Sequence, residues 1–172
     1  MSCLGVFFAI DEKTVQTLKN EQRANIVDYI KDELEETYFE NPELLLAETD
    51  KAWDAIHRAF SESELEFEPA TGIYPSNMII MGGEVLYGDN DKEDDYIITL
   101  KNPLVVRDIY KFLSKLTEAE FRTMYFKIDE SKYGFPVDEQ DFKYTWNWLA
   151  GTIDFWKNAS EKNLLVVFTV DQ

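Results

Sequence analysis

The chain has 172 residues, 45% hydrophobic and 15% aromatic, with 34 acidic against 17 basic side chains and a net charge of −17. That apolar content is enough for a buried core and excludes a disordered chain in spite of the charge; the length is that of one domain, 1–172. The acidic excess excludes direct binding to nucleic acid and attraction to an anionic membrane, since both depend on Lys and Arg meeting anionic groups.

The N-terminal LGVFFAI (4–10) is an apolar run of strand length that stops at Asp11, and it reads as a buried strand. Asp11 caps a short helix through Leu18. Ile26, Val27, Ile30, Leu34 and Tyr38 recur at helical spacing and predict an amphipathic helix over 21–38 with an acidic outer face. Asn41-Pro42-Glu43 has the form of a helix start, a capping Asn before Pro at the first helical position. A further helix covers DKAWDAIHRAF (50–60), and 61–72 is a polar connection with a brief edge strand around Leu65 and Phe67.

IYPSNMIIMGG (73–83) fits either a short helix after Pro75 or a strand. GDNDKEDD (88–95) is a loop, and YIITLK (96–101) is a central strand by its β-branched and aromatic content. Asn102-Pro103 starts a helix to Leu116, and Thr117 with Glu120 forms the capping box of the next. Phe142, Trp146, Leu149, Ile153 and Trp156 mark the apolar stripe of one long helix over 138–158, and LLVVFTV (164–170) closes the chain as a strand. Strands at both ends and in the middle, separated by helices, predict an α+β fold, three-layer-like (αβα), in which helices surround a small central mixed sheet.

The single cysteine, Cys3, cannot form an intrachain disulfide, and no run approaches the about 20 apolar residues of a membrane helix. The N-terminus lacks the basic segment and longer apolar core of a secretion signal. A cytoplasmic protein is expected, and Asn158-Ala159-Ser160 is a chance glycosylation sequon.

His57 is the only histidine. It shares an apolar stripe with Trp53, Ile56 and Phe60, and Asp54 and Asp50 precede it by one and two turns. A carboxylate could orient the imidazole and leave its other nitrogen free for proton transfer. The alternative is a histidine that packs and hydrogen-bonds in the core, with Asp54 paired instead to Arg58 at i+4. A zinc set is not available from one histidine and one cysteine. The loop from Asp89 to Asp95 has acids at calcium-loop positions 1, 3 and 5, but Asp94 stands where glycine is needed and Leu100 where glutamate is needed. Gly82-Gly83 and Gly88 match no phosphate-binding pattern, and no serine lies in a hydrolase elbow. No metal or cofactor is expected.

Residues 28–68 hold 14 acids and three bases. This concentration is either a solubility surface or a platform for a basic partner, since clustered charge speeds and selects association. Glu33, Glu36, Glu40, Glu43 and Glu62 are the candidate interaction residues.

The blocks LGVFFAID, DKAWDAIHRAF and MIIMGGEVLY, followed by an aromatic-rich helix and a final LLVVF strand, resemble the YfbM-like bacterial family, whose function is unknown. The acidic YGDNDKEDDY stretch departs from that family's pattern. The resemblance implies a domain of helices around a small sheet, in a bacterial cytoplasm, and no particular activity. It also implies where a shared pocket would lie: at Asp50, Trp53, Asp54, His57, Gly82 and Gly83, with Tyr74, Asn77 and Tyr87 as polar lining. Two functions follow as expectations. One is a non-catalytic interaction protein with a basic protein partner; the other is a small-molecule-binding or hydrolytic domain built on His57.

Overall fold

Five strands form one sheet in the order β2-β1-β5-β4-β3, where β1 is Gly5–Ile10, β2 Leu46–Asp50, β3 Glu84–Tyr87, β4 Tyr96–Lys101 and β5 Leu165–Asp171. The structure, a computed structural model, describes residues 4–22, 25–62, 64–65, 67, 71–89 and 96–171. Cys3 and most of the candidate cation loop, 90–95, lie outside the described residues. The α+β class holds, but the sheet is antiparallel at every pairing rather than mixed. The reason lies in the connections: β1 and β5, the two ends of the chain, meet antiparallel at the centre, and each edge strand then adds antiparallel to its neighbour. No parallel crossover is needed.

Alternation along the strands divides the interior into two cores. Phe7, Ala9, Ile97, Val166 and Phe168 face one side of the sheet, and Phe8, Ile10, Ile98, Leu100 and Val167 face the other. The second side is covered by α1 (Glu12–Asn20), α2 (Ile26–Tyr29), a π-helical stretch Ile30–Glu35 and α3 (Glu36–Glu40). The first is covered by α4 (Trp53–Phe60), α5 (Pro103–Leu113), α6 (Glu118–Tyr125), α7 (Glu130–Tyr133), α8 (Glu139–Gly151) and α9 (Ile153–Glu161). The result is the expected helix–sheet–helix layering. Among the described residues no helix is long and apolar enough to cross a membrane.

Caps begin α1, α5 and α6 as the sequence predicts. Asp11 Oδ1 accepts from Thr14 N at 2.8 Å, and Asn102 Oδ1 accepts from Val105 N at 3.0 Å. Thr117 and Glu120 exchange the two bonds of a capping box. Ile26, Ile30, Leu34 and Tyr38 are all buried. A strict four-residue repeat outruns the 3.6-residue turn by about 40° per step. The wider π stretch absorbs that drift and keeps all four on the sheet.

Three expectations are corrected. No helix follows Asn41-Pro42; Asn41 Oδ1 accepts from Glu43 N at 3.0 Å in a tight turn, and the chain enters β2. Leu44 and Leu46 pack on one core and Leu45 on the other, which is strand periodicity. The long helix 138–158 is two helices, because Thr152 Oγ1 turns back to Leu149 O at 2.8 Å and the ladder breaks after Gly151. The break rotates Phe155 and Trp156 inward together and leaves Ile153 only partly buried. Leu65 and Phe67 carry no strand; they pack against the core from an irregular connection. The undecided 73–83 segment is a 3-10 turn, Ser76–Met78, leading into turns that bury Ile79, Ile80 and Met81.

Candidate interaction site

The residues grouped around His57 are spread over both faces of the sheet and the surface. Trp53 and His57 are buried on α4, the imidazole 3% exposed, and Trp53 packs 6.3 Å from the Phe168 ring. Arg58 Nε donates to Asp54 Oδ1 at 2.6 Å, so the i+4 partner forms. Burial pushes the Asp54 carboxyl above its usual range, and Arg58 offsets only part of that rise. Asp50 ends β2 with φ of 48° beside Tyr144, whose phenol is pushed up to about 12 by burial and by its hydrogen bond to Asp50. Tyr74 lies at the surface, its hydroxyl donating to Asp108 Oδ2 at 2.7 Å. Asn77 is buried and donates through Nδ2 to Thr71 O at 3.2 Å.

Gly82 and Gly83 are sites of close backbone approach. A Cβ on Gly82 would meet Met78 Cα at 2.6 Å, and one on Gly83 would meet Leu100 O at 2.4 Å. Tyr87 belongs to the core on the other face of the sheet. None of the four clefts described among these residues is lined by His57. His57→Ala is therefore expected to lower unfolding stability by about 1–3 kcal/mol. Urea unfolding reads this directly, and a variant as stable as the parent would place the imidazole outside the core's energetics.

The acidic residues sort by layer. Glu33, Glu36, Glu40 and Glu43 are all exposed on or just after the π stretch and α3, and Glu62 follows α4 on the opposite side of the sheet. The structure thus brings four of the five together. It adds Asp28 and Asp32, also exposed, so that Asp28, Asp32, Glu36 and Glu40 follow one another at four-residue spacing. Like charges at i, i+4 destabilise a helix by roughly 0.2–0.5 kcal/mol per pair. The spacing is legible in the sequence once the helical face is known.

Below this stripe lies a cleft of about 440 Å³ between the helices, the start of α1 and the 43–45 turn. Tyr29, Leu34, Tyr38 and Leu44 form its apolar wall, and Asp11, Glu33 and Glu43 contribute carboxylates, with Lys162 the one cation among the described residues. Thr14 hydrogen bonds hold the Asp11 carboxyl below its usual range, so it stays ionised. Burial pushes the Tyr38 phenol up to about 12, and Asp11 adds to the shift; its hydroxyl donates to Ala9 O at 2.7 Å and fixes the ring. The cleft is suited to a cationic group with an aliphatic stem: carboxylates at the rim, tyrosine faces and leucines within. Asp11 and Lys162 were not among the sequence candidates, since only the packing of α1 and the α9–β5 turn brings them to Glu33 and Glu43. Among the described residues, no cluster of His, Cys, Asp and Glu is placed to hold a metal ion.

An antiparallel five-stranded sheet between two helical layers, one of them acidic, defines an α+β domain with a candidate protein-facing surface. The chain belongs to the family described as a domain of unknown function, DUF1877, whose profile matches residues 1–169. It is similar in fold to YfbM from Escherichia coli, a protein of unknown function, with a TM-score of 0.64 and 18% identity over 97% of this chain and 99% of that one. No curated protein matches the sequence.

Proposed function

We propose that this protein is a non-catalytic interaction protein of the bacterial cytoplasm, and that the acidic layer of α2, the π stretch and α3 binds a basic protein partner. The observation that carries the reading is the unbroken stripe from Asp28 to Glu40, flanked by Glu33 and Glu43 at the cleft. Repulsion within such a stripe works against the helix that bears it, and a solubility surface needs no such concentration. Opposite charge on a partner would relieve the repulsion and steer the encounter. A lysine or arginine of that partner would seat in the Tyr29–Tyr38 cleft.

Capture from native lysate at low and moderate salt, read by quantitative mass spectrometry, tests this against two variants of equal charge. In the first, Glu33, Glu36, Glu40 and Glu43 become lysine; in the second, Glu62, Glu118, Asp154 and Glu161 do. The expected result is a stoichiometric basic protein held by the parent and the second variant, released as salt rises, and lost from the first by tenfold or more. Equal loss from both variants would reduce the effect to net charge, and unchanged capture by the first would remove the acidic face from the interaction.

A further inference from the structure

Lys101 is the last residue of β4, and its side chain is wholly buried on the face that carries α4 to α9. Its Nζ donates to Ile80 O and, at 2.5 Å, to Thr99 Oγ1, while Thr99 Oγ1 itself donates to Ile80 O at 3.0 Å. These bonds fasten the turn that follows the 3-10 helix to the strand beneath it. Gly83 lets the chain leave that turn directly over the lysine stem, since its Cβ position lies 3.6 Å from Lys101 Cγ.

The hydrogen bonds fit an amine and not an ammonium. An uncharged amine has two N–H groups, and two acceptors are present; an ammonium has a third, and the next group over the nitrogen is the Phe168 ring, 5.5 Å away. The charged and titratable groups on the elements around it are Glu84 on β3, Asp54, His57 and Arg58 on α4, Arg107, Asp108 and Lys111 on α5, and Asp171 on β5. None of them perturbs Lys101; burial alone drives its pKa well below 10.5. A buried charge with neither a counterion nor a full set of acceptors is strongly unfavourable.

We propose that Lys101 is a proton-operated latch: as an uncharged amine it holds the 76–83 turn against β4, and on taking a proton it releases that turn. Release uncovers Ile79, Ile80 and Met81, which are otherwise 2% exposed or less. The sign follows from linkage. The released state takes up a proton at an ordinary lysine pKa of 10.5 and the latched state only at its depressed one. Stability of the latched state is therefore full above 10.5, falls as pH drops below it, and levels off once the buried amine is itself protonated.

Two measurements on the folded protein decide the matter. The first is the 13Cε shift of Lys101 followed by NMR from pH 10 downward; it should report an amine at pH 8.5, where surface lysines are ammonium. A Lys101 resonance that titrates with the others near 10.5 overturns the proposal. The second is amide exchange at Asn77, Met78 and Ile79, whose N–H groups bond within this segment. Their protection factors should fall about tenfold per pH unit below 10.5, the signature of one linked proton, and Lys101→Met should abolish that slope. Flat protection in the parent overturns the latch even if the amine is neutral. Should Lys101→Met fail to fold, the parent's resonance and exchange profile still give the answer.

Discussion

Trp156→Ala is expected to remove about 3–5 kcal/mol of stability, the range for truncating a fully buried indole. Trp156 sits on α9 with no exposed surface, its ring 5.1 Å from Phe7 and 5.5 Å from Phe155, both edge-on; Phe7 in turn packs 5.1 Å from Phe168. These side chains join α9 to the two central strands, so the cavity would open where the sheet and its larger helical layer meet. Against a total of about 5–15 kcal/mol for a typical domain, the loss is a fifth or more. Trp156→Phe should behave differently. The indole Nε1 has no acceptor among the described residues, so phenylalanine removes a buried donor that gains nothing from the fold. The loss should stay under about 1.5 kcal/mol. Guanidinium unfolding monitored by far-ultraviolet circular dichroism separates the two variants; equal losses would mean that the nitrogen is satisfied in solution.

Gly83→Ala is expected to cost about 2–6 kcal/mol, with two causes at one atom. The backbone is in the left-handed region at φ of 113°, where a side chain is strained by roughly 1–3 kcal/mol. The new methyl would also stand 2.4 Å from Leu100 O and 3.1 Å from Leu100 C, overpacking that adds about 1–3 kcal/mol because the obstacle is β4 backbone. Gly134→Ala provides the contrast. Gly134 ends α7 at φ of 78°, but its Cβ would meet nothing within 4 Å. Only the conformational penalty remains there, about 1–2 kcal/mol. Thermal unfolding of the pair measures the difference, and similar melting temperatures would show that β4 yields at Leu100.

The contrast between these glycines also shows where sequence reading runs out. Gly82-Gly83 was legible as a turn with unusual backbone demands, and that is what it is; Tyr87, grouped with it in the sequence, lies in the core on the other face of the sheet. A block of recognisable residues, such as DKAWDAIH, reflects a helix buried on one side as readily as a ligand site. Trp53 and His57 packed in the core satisfy that description. The capping motifs at Asp11, Asn102 and Thr117 were read correctly because each acts within four residues of itself. The break at Thr152 was missed because Phe142, Trp146, Leu149, Ile153 and Trp156 keep helical spacing across it, and only the burial of Phe155 with Trp156 distinguishes two helices from one. The helix start at Asn41-Pro42-Glu43 gives no helix for a related reason: with both faces of the sheet covered, the leucines 44–46 that follow show no polar alternation to mark a strand.

Lys101 is the instructive omission. YIITLK was read as a central strand, and alternation from Ile97 through Thr99 places the lysine on an inward face. The parity was available, but it yields a buried lysine with no counterion among the described residues, a conclusion that only the surrounding layers make credible. The acidic stripe was the reverse case. Its charge was evident from composition, and the fold added the information that Glu62 stands apart from the other four.

The pairing of β1 with β5 has a consequence for how the chain comes to be folded at all. Val6 lies opposite Thr169 and Ile10 opposite Leu165, so the central ladder joins segments about 160 residues apart, a separation that slows folding through loop-closure entropy. While the chain is being made, β1 can recruit β2, and β4 can recruit β3, but the two hairpin-like halves share no ladder until β5 leaves the ribosome. Phe7 and Phe8 therefore wait for Phe168 and Val167, their partners in β5. The sheet closes only when β5 is added, and a nascent chain that lacks it leaves the β5 side of the aromatic strand β1 without a ladder partner.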